Sequence, residues 1–311
     1  MAQVRSIVDK LLTNVSSMHV PEGYISEMIF PFIGVKEKTG KLAKYGAAHQ
    51  RIETSVAGGR GKFRRVEAIV RSDTSYSVDS HGLESMVSDD DYRNVEKPYD
   101  AEADEVIGVT TQLWLEKEFV LAQALANTSV VTQNVTLSGT SQFSDYNNSS
   151  PLTRFGAARS AVRSGCGKAP DTAWMSWEVM NILKFHPELL DRLGYKEARP
   201  GGLNDAELAR AMEVKRVLIA DVTYNTAKEG QADSLADVWG KHLWFGVCPQ
   251  TAQVRQVSAG YRLGLTGSSP RKVYKFPIVN PPDSTGILVK DDYSFLLSNA
   301  GALYLLKDAI A

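Results

Sequence analysis

The sequence predicts an α+β fold, and three of its segments support that prediction. Residues 100–126 are the longest helical candidate, with a length of about 40 Å. Residues 52–56 and 63–70 have the pattern of two strands joined by a glycine-rich tip, which predicts a long hairpin. After Gly167 short strands and short helices alternate, which is typical of a compact α/β unit.

The composition allows a well-packed core and argues against several classes of protein. With 311 residues, 43% of them hydrophobic, the chain can form one large domain or a few smaller ones. A net charge of −1 argues against a dedicated nucleic-acid binder, which carries a strong basic excess. No run approaches the roughly 20 apolar residues that span a bilayer, and residues 1–17 lack the features of a signal peptide.

The two cysteines, Cys166 and Cys248, do not form a CxxC motif. Thiols in this arrangement fit a reducing cytoplasm, where they behave as small apolar groups. A disulfide between them stays open as the less favoured alternative.

Charge is sharply divided between two adjacent segments. Residues 36–71 hold ten Lys/Arg against three Glu, a balance of +7, and residues 73–118 hold thirteen Asp/Glu against three Lys/Arg, a balance of −10. The basic segment is tipped by AGGRGK (57–62), and nothing about core formation requires it to be basic. If two such segments do not fold back on each other, they can bind the next copy of the same protein. We therefore expect a subunit that binds its neighbours.

The N-terminal elements are expected to extend away from a core. Residues 1–35 predict an extended arm, because Pro21, Pro31 and scattered apolar residues give neither helical nor strand periodicity. The hairpin that follows carries too many charges to be buried on both faces, so we expect it to project outward.

The long helix is expected to run from Asp100 to Ala126. Acidic residues crowd its first turns, where they interact favourably with the helix dipole. Leu115 and Phe119 project from roughly the opposite side to the main apolar face, which predicts apolar contacts on two sides. The main apolar face comprises Ala103, Val106, Ile107, Thr110, Leu113, Trp114, Val120, Leu121 and Leu125.

The second half of the chain predicts the α/β unit and a return to strands. The polar stretch after the long helix predicts a strand and loops, and Pro151 suits the first turn of a shorter helix. Trp174, Trp177, Trp239 and Trp244 are expected to form the core of the unit. Further strands are predicted at 173–175, 217–220, 243–247, 261–265, 273–279 and 286–289, and further helices at 177–185 and 187–193.

No group of residues predicts a catalytic, cofactor or metal site. Two Gly-Lys pairs, at 61–62 and 167–168, lack the other residues of a phosphate-binding loop. The five histidines show no metal-ligand spacing, and His186 is expected to cap or pack a helix. The acidic run at 89–91 lacks the pattern of a calcium loop, so a solvated acidic loop or a surface facing a basic neighbour is favoured.

Five strings of this sequence resemble, in order and spacing, segments of one known family. The family is the major capsid proteins of tailed bacteriophages, which share the Hong Kong 97-type capsid fold, and the resemblance covers nearly the whole chain. The strings are FPFIGVKEKTGKLAKY (30–45), TLSGTSQFSDY (136–146), KFHPELLDRLGY (184–195), VTYNTAKEGQ (222–231) and ADVWGKHLWF (236–245).

The resemblance implies an architecture for the chain. The long helix becomes the spine helix of a peripheral domain, and the α/β unit becomes an axial domain that points at the centre of each ring of subunits. The implied divisions are an N-terminal arm (1–35), an extended loop or β-hairpin (36–76), a peripheral domain (77–149) with its spine helix at about 100–126, an axial domain (150–258), return strands of the peripheral domain (259–285) and a C-terminal segment rejoining the axial domain (286–311).

The resemblance also implies a function and a set of partners. The chain is expected to assemble into hexamers and pentamers of an icosahedral shell around double-stranded DNA, with only non-specific DNA contact and no membrane. It would be made in the bacterial host cytoplasm and reside in the virion. Some members carry a long N-terminal scaffolding segment, whereas this sequence begins almost directly at the arm, so the chain is expected to use a separate scaffolding protein or to be processed. A portal and a decoration protein are further expected partners.

Two alternatives stay open at this point. One is an encapsulin-like compartment shell, which holds cargo enzymes instead of a genome. The other is a soluble cytoplasmic α/β enzyme, which the missing active site makes unfavourable.

The charge division predicts which residues contact a neighbouring subunit. Basic residues of the loop are expected to lie against acidic residues of the adjacent copy. The basic residues are Arg51, Arg60, Lys62, Arg64 and Arg65, and the acidic residues are Asp89, Asp90, Asp91, Glu102, Asp104 and Glu105.

Overall fold

The computed structural model describes residues 7–44, 72–88, 100–194, 202–253, 256–266, 271–278 and 284–311, together with positions 52 and 90. The two strands predicted for the hairpin, at 52–56 and 63–70, therefore lie outside the described residues, apart from Ile52. Within the described part, the fold consists of two main sheets and a long helix that contacts both.

The first sheet contains six of the described strands. Its central strand β14 (Ser284–Leu297) pairs along one side with β13 (Arg271–Ile278) and along the other with β5 (Asp79–Ser88), both antiparallel. The last residues of β14 pair with β12 (Gly260–Leu265). Val273, Ile287 and Val289 of this sheet are buried against Val106 and Leu113 of the long helix. The other two strands are β1 (Ile7–Val8) and β2 (Phe32–Val35).

Strand β14 is longer than the predicted strand at 286–289. The sequence after Val289 is Lys290, Asp291 and Asp292, which ends the apolar pattern. The strand continues because the buried Asp291 carboxylate accepts a hydrogen bond from the Lys117 ammonium at 2.8 Å. A buried ion pair therefore replaces the apolar side chain that the pattern requires.

The described part of the arm contains two helices and two short strands and packs on the body of the chain, so the prediction of an extended, non-periodic arm was wrong for this part. Helix α1 (Lys10–Met18) begins at Asp9, whose carboxylate accepts from the backbone N–H groups of Leu11 and Leu12. The buried residues of α1 are Leu12, Thr13 and Ser16, of which two are polar. Leu11, Val15 and Met18 do have helical spacing, but the run is short, Leu11 and Met18 are exposed, and hydroxyl groups occupy much of the buried face.

The long helix α3 (Ala101–Ala126) confirms the predicted one almost residue for residue. The Asp100 carboxylate caps it by accepting from Glu102 N and Ala103 N. Most of the predicted apolar face is buried, but Val120 is 46% exposed, which contradicts its assignment to that face. The buried face also contains Lys117 and Glu118, two charged residues that the apolar pattern passed over.

The second sheet forms the core of the predicted α/β unit. Its strands lie in the order β6 (Asn134–Thr136), β15 (Leu303–Lys307), β11 (Leu243–Gly246), β7 (Thr172–Ser176) and β8 (Arg216–Ala220). The pairs β7–β8 and β15–β6 are parallel, and the other pairs are antiparallel. Phe245 packs on Phe155 of the helix that starts at Pro151, and Trp244 donates to the carbonyl of Leu125 in the long helix.

Tryptophans fill this core as predicted, with one exception. Trp174, Trp239 and Trp244 are buried and contact one another through ring stacking and edge contacts. Trp177 is 49% exposed, because it is the first residue of its helix rather than part of a strand. Its assignment to the core was wrong.

Short helices surround the second sheet. The helix predicted from Pro151 is confirmed, with proline in its first turn and Gly167 at its end in the left-handed conformation. The helix at 205–212 was not predicted, although Asn204 and Glu207 form a capping box at its start. The helices are α2 (Ser26–Ile29), α4 (Pro151–Cys166), α5 (Trp177–Lys184), α6 (Pro187–Arg192) and α7 (Asp205–Met212).

Two small antiparallel pairs complete the described fold. Strands β3 (Thr39–Lys44) and β4 (Ser72–Ser77) pair from Thr39↔Ser77 to Lys44↔Ser72, so the chain enters and leaves 45–71 side by side. Strands β9 (Thr223–Asn225) and β10 (Leu235–Asp237) form the other pair. The chain passes from the first main sheet to the second between β14 and β15.

Candidate assembly interface

Lys38, directly before strand β3 and the predicted basic hairpin, is connected to the first sheet by a series of polar contacts. The Lys38 ammonium donates to Ser80 Oγ at 2.7 Å, and Ser80 Oγ donates to Asp292 Oδ1 at 2.5 Å. Lys290 lies 3.5 Å from the same Asp292 oxygen. These contacts set the direction in which the chain leaves the sheet at this point.

Most of the residues predicted to contact a neighbour lie outside the described residues. This holds for Asp89, Asp91 and all five basic residues. Of the rest, Asp90 is exposed. The basic residues are Arg51, Arg60, Lys62, Arg64 and Arg65.

The other three predicted acidic residues lie in the first turns of the long helix. Glu102 forms an ion pair with Lys275 of the first sheet, and the Glu105 carboxylate accepts a hydrogen bond from Ser85. Asp104 is exposed. Within the described chain, Glu102 and Glu105 therefore help dock the helix on the sheet, and Asp104 is the one of the three that faces solvent.

Large apolar side chains are exposed along the described arm. Leu11 is 68% exposed and Met18 is 84% exposed, although both belong to a helix that packs against the body of the chain. Exposed apolar groups at this density are typical of a surface that another protein covers. The full set in the arm is Val8, Leu11, Met18, Val20, Met28 and Phe32.

Glu118 joins the arm, the long helix and the α/β unit at one buried point. Its Oε1 accepts from Ile25 N at 2.9 Å and from Trp239 Nε1 at 2.7 Å, and its Oε2 accepts from Ser26 N at 2.9 Å. The side chain is fully buried. Because donors from two segments distant in sequence meet one carboxylate of the long helix, this residue fixes the relative positions of all three elements.

Lys117, the preceding residue, joins the arm to the first sheet. Its ammonium lies 2.9 Å from Glu27 Oε1 and 2.8 Å from Asp291 Oδ2, and it also lies 4.2 Å from the centre of the Tyr293 ring. Glu27 forms a second ion pair with Arg262 of strand β12. We call residues Ile25, Ser26, Glu27, Lys117 and Glu118 the arm junction.

The pKa of Glu27 reflects this arrangement. Burial alone raises the pKa of the carboxyl, but the charges and hydrogen bonds of Lys117 and Arg262 outweigh burial and lower it. The ionised form is therefore the one that stabilises the arm junction.

Acid is expected to remove the contribution of Glu27 to stability. Because the folded pKa lies below the unfolded one, the contribution is complete above about pH 5 and is lost as the pH falls through the folded value. Urea unfolding of wild type and Glu27→Gln should therefore show a gap in unfolding free energy at pH 7 that closes under acid conditions. A gap that stays constant down to pH 3 would contradict this account of the ion pairs.

Three further titratable groups, His186, Cys166 and Cys248, are buried and have environments that fit structural roles. His186 caps helix α6, since its Nδ1 accepts from Glu188 N, and burial lowers the pKa of its ring. This confirms the capping role predicted for it. Burial raises the pKa of both the Cys166 and the Cys248 thiols, which disfavours their reactive thiolate forms.

Across the described ranges, no group of three or more His, Cys, Asp or Glu side chains is placed to hold a metal ion. No helix in the same ranges is long and apolar enough to cross a membrane.

Comparison with solved structures identifies the class of fold. The chain is similar to a phage-related protein of Bordetella bronchiseptica, with a TM-score of 0.75 and 23% identity over 98% of each chain. It is also similar to the capsid protein of cyanophage P-SCSP1u, with a TM-score of 0.54 and 11% identity over 90% of this chain and 86% of that one. The chain therefore has the Hong Kong 97-type fold of phage capsids.

Curated relatives point to a particular kind of protein within that class. The chain is 24% identical to the major capsid protein of Burkholderia phage BcepMu over 270 residues, covering 84% of this chain and 85% of the relative. It is 26% identical to the major capsid protein of Pseudomonas phage JBD67 over 263 residues, covering 84% and 82%. No protein-family model matches the chain.

An encapsulin shares the same fold. The encapsulin of Synechococcus elongatus matches with a TM-score of 0.53 and 11% identity, covering 99% of this chain and 92% of that one. The fold alone therefore does not separate a phage shell from a cargo compartment, whereas both curated relatives are phage proteins.

Proposed function

We propose that this chain is the major capsid protein of a tailed phage, many copies of which tile a closed shell around packaged double-stranded DNA. The observation that supports this most is the similarity to two phage major capsid proteins over 84% of the chain. The matching fold and the exposed apolar side chains of the arm agree with it.

The proposal assigns the two main sheets of the subunit to different domains of the capsid fold. The first sheet and the long helix would form the peripheral domain, and the α/β unit would form the axial domain at the centre of each hexamer or pentamer. A closed lattice needs contacts within each ring and between rings. The basic loop (residues 36–71), the arm and the exposed Asp104 at the start of the long helix are the parts of the subunit that we assign to these contacts.

In such interfaces, buried apolar area and exposed ion pairs have different effects. Obligate interfaces commonly bury about 2,000 Å² or more, and their apolar area supplies most of the strength. Exposed ion pairs contribute less than about 1 kcal/mol each. We therefore assign to Arg64, Arg65 and their acidic partners the role of setting register and specificity.

The proposal also names partners and a location. The shell would lie in the virion after production in the cytoplasm of the bacterial host. A separate scaffolding protein, a portal and a decoration protein are the proposed protein partners. Contact with DNA would be weak and independent of sequence, because the sequence shows no basic groove with interleaved aromatic residues.

Negative-stain electron microscopy of the purified protein tests this function. The proposal predicts closed icosahedral shells, empty or filled with DNA. Small shells filled with cargo protein would favour the encapsulin-like alternative, and discrete small oligomers would favour the soluble enzyme.

A further inference from the structure

Residues 308–311, which follow strand β15, are held between two turns, and we call them the strap. Ala309 N donates to the carbonyl of Lys241 at 2.7 Å, and the Ala309 carbonyl accepts from Phe143 N at 2.7 Å. Ala309 and Phe143 are fully buried and belong to the hydrophobic core around the second sheet. The strap is therefore part of the packed core, and its hydrogen bonds decide how firmly it is held.

The start of the strap is bound to a histidine ring. The backbone N–H of Asp308 donates to His242 Nδ1 at 3.0 Å. A backbone N–H can only donate, so Nδ1 must carry its lone pair and the neutral ring must hold its proton on Nε2. The His242 side chain is 15% exposed, and its ring makes an edge contact with the Trp244 ring, with 5.6 Å between the ring centres. This hydrogen bond therefore exists only while the ring is neutral.

The Asp308 carboxylate lies beside the same ring nitrogen. Its Oδ1 is 3.6 Å from His242 Nδ1, which is too far for a hydrogen bond. Asp308 has a φ of 53°, in the left-handed region, and with this backbone both its N–H and its carboxylate lie close to Nδ1. The N–H requires a bare nitrogen and the carboxylate requires a protonated one, so the two groups compete for Nδ1.

Among the described residues, the charged groups that act on the His242 ring belong to Asp308, Lys307 and Lys241. Burial lowers the pKa of the ring, and the positive charge of Lys307 lowers it further. The Asp308 carboxylate and hydrogen bonding to the Lys241 backbone raise the pKa but do not outweigh burial. The Lys241 ammonium itself donates to the carbonyl of Ala311 at 2.6 Å. The folded chain therefore favours the neutral ring that the Asp308 N–H needs.

The direction of this shift sets the pH range in which the hydrogen bond to His242 is lost. An unfolded histidine takes up its proton near pH 6.5, whereas the folded His242 ring has a lower pKa. The contribution of the neutral ring to stability is therefore complete above about pH 6.5 and is lost as the pH falls from there through the folded value.

We propose that His242 and Asp308 form a proton-sensitive latch on the strap. With the ring neutral, Nδ1 accepts from the Asp308 N–H. When Nδ1 takes up a proton from solvent, it donates to the Asp308 carboxylate instead, and the backbone N–H loses its acceptor. The bonds of Ala309 to Lys241 and Phe143 remain, so protonation loosens the start of the strap without unfolding the chain. The latch lies within one chain and does not depend on the proposed function.

Hydrogen exchange of single backbone amides tests the inference, in shells or in the unassembled chain. The protection of the Asp308 amide, corrected for the intrinsic pH dependence of exchange, should be about fivefold lower at about pH 4.5 than at about pH 7.5, because one hydrogen bond is lost. The Leu305 amide, which donates to the Gln133 carbonyl at 3.0 Å, should keep its protection over the same range.

Two variants separate the roles of the ring and the carboxylate. His242→Asn keeps an oxygen acceptor near the position of Nδ1 that takes up no proton, so position 308 should stay protected at low pH. Asp308→Asn tolerates the left-handed backbone but removes the anionic acceptor, so the loss of protection should move to lower pH. His81→Asn is the matched control, because His81 also lies beside a carboxylate, 3.5 Å from Glu116, and it should behave as wild type.

Each outcome of this experiment decides the matter. Unchanged protection of position 308 in wild type would show that the inference is wrong, and so would an equal loss in wild type and His242→Asn. A loss that extends equally to Leu305 would show general unfolding instead of a latch. If Asp308→Asn loses protection at the same pH as wild type, its carboxylate does not receive the ring proton and the proposed exchange of bonds is wrong. Should His242→Asn fold poorly, wild type and Asp308→Asn still decide.

Discussion

Replacing Glu118 by alanine is expected to lower the unfolding free energy of the unassembled chain by about 3–5 kcal/mol. The substitution leaves Ile25 N, Ser26 N and Trp239 Nε1 buried without an acceptor. Each such donor costs about 1–3 kcal/mol. Urea unfolding followed by tryptophan fluorescence measures the loss, and Trp239 reports directly on the junction.

The matched control for Glu118 lies two residues away on the same helix. The Glu116 side chain is 44% exposed and its carboxylate lies 3.5 Å from His81, so Glu116→Ala should cost less than about 1 kcal/mol. If Glu118→Ala were as mild as this control, the arm junction would not hold the three elements together.

Reversing the charge of Arg64 and Arg65 is expected to impair assembly and leave the subunit fold intact. With glutamate at both positions, the loop would meet acidic side chains of the neighbour as like charges. The protein concentration needed to form shells should rise at least about tenfold, because the same repulsion acts at every contact of the lattice. Sedimentation velocity measures assembly, and circular dichroism checks the fold.

A control variant with the same change in net charge shows whether the effect on assembly comes from the loop or from the net charge of the chain. Lys215 and Lys228 are exposed residues of the α/β unit, and glutamate at both positions alters the net charge equally. This control should assemble as wild type does. Normal shells from the Arg64 and Arg65 variant would show that the basic loop does not set register.

The sequence predicted most of the elements whose burial depends on apolar side chains. The long helix, the helix at Pro151 and the strands around Trp174 and Trp244 follow from apolar periodicity, capping residues and proline position. In these elements, local propensity and tertiary burial favour the same structure, so the apolar pattern of the sequence predicts the element correctly.

Elements stabilised by buried polar groups were missed or misplaced. Helix α1 buries Thr13 and Ser16, and strand β14 continues through Asp291 because Lys117 pairs with it. Periodicity counts such residues as exposed, since the partner that makes burial favourable is distant in sequence. The arm junction was missed for this reason.

One signal in the sequence could have revealed the arm junction. Lys117 follows Leu113 by four residues and precedes Leu121 by four, so it lies on the apolar face of the long helix. A charge at such a position predicts a buried ion pair. The identity of its partners, Glu27 and Asp291, requires the fold.

The most direct test of assembly through the basic loop is a disulfide between two copies. Cysteine is placed at Arg64 in one preparation and at the exposed Asp104 in another, and the two are mixed, assembled and oxidised. The account predicts a covalent dimer containing one chain of each kind, formed only under assembly conditions. A chain carrying both substitutions that forms the bond within itself, and yields no dimer, would contradict it.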